Sequence, residues 1–167
     1  MRALFDGWQL SGVTSAQSGP VVGVGYGIQG VSDRTGGSGA GLDTRVDFIC
    51  DPNLPRGERS PTRAFRAECV RPPSRETNRV GTAKGDELFG PGYLNWDISF
   101  MKSVSLGSRR QLQFRGELYN AFNSVQFSAV NTGALFDQAG NQVNNEFGQY
   151  TAARDARRVQ LMVRMRF

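Results

Sequence analysis

Apolar and polar residues alternate with a period of two along five stretches of this 167-residue chain. In "NWDISFMKSVSL", Trp96, Ile98, Phe100, Val104 and Leu106 share one parity, and Asn95, Asp97, Ser99, Ser103 and Ser105 share the other. "QLQFRGELYN" repeats the pattern, with Leu112, Phe114 and Leu118 against Gln111, Gln113, Arg115 and Glu117. Successive side chains of a strand point to opposite faces, so such runs predict antiparallel strands with one apolar and one polar side. Residues Gly107 to Arg110 between them predict a tight turn that pairs the two.

Three further stretches complete the pattern. "GPVVGVGYGI" places Val22, Val24, Tyr26 and Ile28 on one face, and "GWQLSGVTSAQSG" alternates more weakly around Trp8 and Leu10. The last residues, "RRVQLMVRMRF", put Val159, Leu161, Val163, Met165 and Phe167 on one parity. Strands are therefore expected near 6–17, 20–28, 95–106, 111–120 and 157–167, with long polar loops at 29–94 and 121–156. The fold class expected is all-β: an antiparallel up-and-down meander of about five strands. Connections that run short, long, short, long gather every long loop at one end. Soluble sandwiches seldom carry loops beyond ~15 residues, whereas outer-membrane barrels combine short periplasmic turns with long extracellular loops. A strand of about eleven residues at a tilt near 40° spans roughly 28 Å, enough for a bilayer core.

Composition sharpens this picture mainly by exclusion. The chain has no His, which removes the usual general base, metal ligand and pH switch. No nucleophile–base pair is visible, and the expectation is no enzyme, no catalytic residues, no cofactor and no metal. Gly25, Gly27 and Gly30 satisfy a dinucleotide-binding spacing, but the loop sequence after them lacks the helix that the motif requires. Asp33, Asp43, Asp47 and Asp51 have no recognisable ligand spacing and read as solvated loop charge. The net charge of +5 comes largely from arginines in the last fourteen residues. They read as solvated or lumen-facing charge, and nucleic acid is not an expected partner because the aromatics sit on the apolar parity.

Individual residues then acquire roles in a barrel. Trp8, Tyr26 and Trp96 fall at the long-loop ends of the expected strands and Phe167 at the opposite end, as two aromatic girdles would. Arg115, Glu117, Arg164 and Arg166 are expected to form a lumen-facing charge ladder between neighbouring strands. Lys102 is the exception on the apolar parity, to be accommodated by snorkelling or by a bulge. Cys50 and Cys69 share one long loop: outside the cell they would form a disulfide, in a reducing compartment two thiols.

"GPGYLNWDISFMKSVSLGSRRQLQFRGELYNAFN" and "FGQYTAARDARRVQLMVRMRF" resemble the C-terminal end of a TonB-dependent outer-membrane receptor of the Oar-like, carboxypeptidase-regulatory-like-domain subgroup. "GWQLSGVTSAQSGP" resembles the region before it, while residues 29–80 match little. The resemblance implies a barrel of about 22 strands with a plug, located in the outer membrane of a Gram-negative cell and driven through TonB. It also implies that Val159, Leu161, Val163, Met165 and Phe167 act as a signal for the barrel-assembly machinery. Five strands are too few for a barrel, so residues 1–167 are expected to be a fragment of the receptor barrel, inactive alone. Its partners would be outer-membrane lipid and the remaining strands and plug. The rival reading is a soluble all-β binding or adhesion module that uses its long loops.

Overall fold

The computed structural model describes residues 6–30, 45–74, 81–107 and 109–167, and it divides into two compact units. Ten strands occur among these residues, named β1 to β10 in chain order.

The first unit is a four-stranded antiparallel sheet in the order β1-β5-β6-β10. Its strands are β1 (Trp8–Gln17), β5 (Tyr93–Ser105), β6 (Gln111–Tyr119) and β10 (Arg158–Arg166). The register keeps the sequence parity intact across all four: Leu10 lies opposite Phe100, Phe100 opposite Gly116, and Gly116 opposite Leu161. One face is thereby apolar from edge to edge. Asn120 and Asn123, both with φ near +50°, turn the chain after β6. The Asn120 amide N–H donates to the Asp97 carboxylate at 3.0 Å, and the Asn120 Oδ1 accepts from Ser124 N–H at 3.1 Å.

The expected strand at 20–28 is corrected. Only Gly25–Ile28 (β2) is strand, and it lies in the second unit, paired in parallel with β8 (Gly133–Phe136). Its alternating Val22, Val24 and Tyr26 pack against a protein core, which rewards a period of two as well as lipid does. With that strand gone, β1 pairs directly with β5 and the connections of the sheet run long, short, long. Trp8 consequently opens β1 at the short-turn end, opposite Lys102, and not at the long-loop end.

The second unit is built from the long connections, its described residues lying in 18–30, 45–74, 81–92 and 127–153. Val46, Phe65, Val70, Leu88, Phe136 and Phe147 are almost fully buried at its centre. Phe65 meets Phe147 edge-on with ring centres 5.2 Å apart, and Phe127 stacks on Tyr150 at 4.0 Å. Short pairings hold the backbone: β3 (Asp47–Phe48) with β4 (Val70–Arg71), β7 (Phe127–Val130) with β9 (Tyr150–Ala153), and the β2–β8 pair that joins the two connections. The expected polar loops thus contain a folded module with its own core.

Candidate functional site

The apolar face of the sheet is assembled from Trp8, Leu10, Leu94, Trp96, Ile98, Phe100, Val104, Leu112, Phe114 and Leu118, with Val159, Leu161, Val163 and Met165 from β10. Its side chains are not covered: Leu10 is 77% exposed, Leu161 75%, Val163 64% and Phe167 89%. A contiguous apolar surface of this extent in water is a strong liability, and it marks contact with another phase or partner. The face is nevertheless well packed within itself. The far end of the Phe100 ring lies against Gly116, where an added Cβ would come within 2.1 Å of its Cζ. Gly116→Ala should therefore push Phe100 off its seat and cost about 1–3 kcal/mol. Thermal unfolding of Gly116→Ala beside Gly116→Ala/Phe100→Ala checks this, because the second change relieves the clash; equal losses in both would disprove the packing argument.

Among the described strand residues Lys102 is the one cation on this face, and it is buried. Its ammonium donates to the Asp6 backbone carbonyl and lies 5.0 Å from the centre of the Trp8 ring. The charge is thus held by a carbonyl dipole and a π face at the beginning of β1, and no bulge interrupts the β1–β5 register.

The opposite face is polar and hydrogen-bonded. Ser11 and Ser99, register partners, share a hydrogen bond of 2.8 Å, and Asn95 donates to Asp97 at 2.8 Å. Arg115 pairs with Glu117 at 2.5 Å, and Tyr119 Oη donates to Glu117 at 2.9 Å. The expected ladder between strands is corrected here. The ion pair runs along β6 itself, while Arg164 and Arg166 lie opposite Gln113 and Gln111. The cause is register: Glu117 faces Gln160 across the ladder, so its ion-pair partner is Arg115, two residues away on its own strand. At the long-loop end, Arg154 stacks on Tyr93 at 4.2 Å and the buried Gln126 clamps Leu94, accepting from its N–H at 3.0 Å and donating to its C=O at 2.6 Å. Sequence alternation carries no signal for either contact, since each joins segments far apart in the chain.

In the loop module, Cys50 and Cys69 are joined in a disulfide with Cα atoms 5.1 Å apart. The bond continues the β3–β4 ladder, as Ile49 N–H donates to the Cys69 carbonyl at 2.9 Å. Around it the carboxylates are committed to local structure. Asp51 accepts from the backbone and then the side-chain amide of Asn53, which holds its pKa below the ordinary value. Glu68 is lowered by its own backbone N–H first, and then by Arg63 at 2.6 Å. Asp137 is lowered by the side chain and backbone of Asn141. Asp47 accepts from Thr82 N–H at 2.8 Å, while Asp33 and Asp43 lie outside the described residues. Tyr26, expected in a girdle, instead sits in this module with its ring 6.2 Å from that of Phe136.

A sheet with one uncovered apolar face, one hydrogen-bonded polar face and long connections at one end defines a class: wall strands of a membrane-embedded β-barrel. The family model for an outer membrane beta barrel domain matches residues 1–160, and the chain belongs to that family. It is an outer-membrane protein of all-β fold, built on an antiparallel sheet. No curated protein and no solved structure matches the chain.

Proposed function

We propose that the chain supplies wall strands and extracellular loops to a TonB-dependent receptor of the Oar-like kind, which takes up scarce nutrients and catalyses no reaction. The observation that carries this reading is the uncovered apolar face backed by a polar one. A soluble binding module would have to cover that face, and nothing among the described residues does so. The resemblance of 90–123 and 147–167 to such receptors, and connections that fold into a module with its own core, favour a receptor over a passive wall. Since the smallest barrels have eight strands, the four of this sheet act with further strands and a plug, with TonB and the barrel-assembly machinery as partners. The assembly signal would be the apolar set of β10 and Phe167.

The register also supports a depth for the sheet. Strands ~4.8 Å apart and tilted by ~40° displace the membrane boundary by about 4 Å along each successive strand, roughly one residue. A line begun at Trp8 on β1 then passes Ser103 on β5 and Leu112 on β6, and arrives beside Phe167. Trp8, Lys102 and Phe167 thus form the periplasmic boundary. Trp96, edge-on to Phe122 at 6.1 Å, belongs to the opposite one.

The transport reading is tested in the host cell. Disrupting the gene that encodes these residues should abolish uptake of at least one nutrient whose import in intact cells stops when the proton gradient is collapsed. Identical uptake profiles in disrupted and intact cells would refute it.

A further inference from the structure

We propose that a cleft in the loop module binds the carboxylate of a small organic acid, with Arg56 and Arg59 as cationic partners and Phe89 as the apolar wall. The inference rests on the uptake reading only in naming the class of solute. The cleft, about 200 Å³ in volume, is lined by both arginines, Phe89 and a backbone floor that includes Ser18, Gly19 and Gly90.

Three observations carry it. First, the positive charge in the cleft is oriented without being neutralised. Arg59 donates through Nε to the Leu54 carbonyl at 2.9 Å and through Nη1 to the Gly90 carbonyl at 3.4 Å. Those carbonyls fix the guanidinium plane and leave Nη2 unused by them, and among the described residues no carboxylate lines the cleft. Glu58, between the two arginines in sequence, lies 3.9 Å from Arg66. Arg56 has no ion pair or hydrogen bond from its side chain among the described residues. Two guanidiniums in one cleft match an oxyanion, which Arg56 can bind through paired N–H groups and Arg59 through Nη2.

Second, the floor is closely fitted. A Cβ at Gly19 would lie 1.9 Å from the Gly90 carbonyl oxygen, the group that holds Arg59. Gly90 N–H in turn donates to the Pro20 carbonyl at 2.8 Å. Third, Phe89 is 46% exposed although its backbone is pinned, its N–H donating to Asn53 at 3.1 Å. An aromatic on a pinned backbone beside the anchored Arg59 guanidinium fits an anion with a flat or apolar body. The volume is below the roughly 300–1,000 Å³ of sites for drug-sized ligands, which limits the body to about one ring.

Titration of the assembled barrel that contains this chain, extracted from outer membranes in detergent and shown by thiol assay to carry the Cys50–Cys69 bond, tests the site. Benzoate should bind saturably with Kd on the order of 1 mM, and neutral benzamide should not. Arg56→Gln, at an exposed position, should weaken benzoate about tenfold while leaving the fold intact. Phe89→Ala should weaken benzoate and leave inorganic phosphate unchanged. Equal binding of benzamide, phosphate matching benzoate, or an indifferent Arg56→Gln would each overturn the assignment. A folded, membrane-inserted chain that ignores benzoate removes this site alone; a normal uptake profile after gene disruption removes the transport reading and leaves the site standing.

Discussion

Leu161→Arg is expected to exclude the protein from the outer membrane, whereas Gln160→Arg, one residue away, should leave it in place. Leu161 occupies the middle of β10 on the apolar face, in register with Gly116 of β6. A guanidinium at mid-bilayer on a barrel exterior costs ~2–4 kcal/mol, enough to shift assembly toward degradation of the unassembled chain. Gln160 points to the polar face beside Glu117, where another cation changes stability by about 0.5 kcal/mol or less. The measurement is the amount of each variant in detergent-extracted outer membranes, relative to the parent. Equal recovery of both would mean that the apolar face does not meet hydrocarbon.

The second large effect belongs to the loop module. Replacing Cys50 and Cys69 together by Ser removes a cross-link whose loop-closure entropy is worth about 3 kcal/mol. Opening of the module should become roughly a hundredfold more frequent. Trypsin reports this directly, because Arg56, Arg59, Arg63, Arg66 and Arg71 all lie near the bond in sequence. Rapid cleavage there, with the sheet still resident in the membrane, is the expected outcome. Unchanged resistance of the double variant would mean that the buried core around Phe65 and Leu88 holds the module without the bond.

The sheet was legible in the sequence because each of its strands separates two environments, and every second residue records which one it meets. Residues 95–106, 111–120 and 157–167 were read within two residues of the observed strands for that reason. The same signal misled at 20–28. Val22, Val24 and Tyr26 alternate just as cleanly, but their apolar side meets the module core. The core itself left no trace, since Phe65, Leu88, Phe136 and Phe147 are single apolar residues in polar surroundings, brought together only by tertiary structure. Lys102 was placed on the correct face, yet its partners Asp6 and Trp8 depend on a pairing across some ninety residues of chain. The cleft of Arg56, Arg59 and Phe89 was invisible for a like reason, being made from three separate segments.

The order β1-β5-β6-β10, antiparallel throughout, makes the first and last strands of this ribbon run in opposite senses. Each outer margin therefore accepts an antiparallel neighbour, and a ring that gains or loses the whole block keeps its up–down alternation undisturbed. An even block of this kind sets the wall's circumference in whole up–down pairs, without inverting any strand beside the joint.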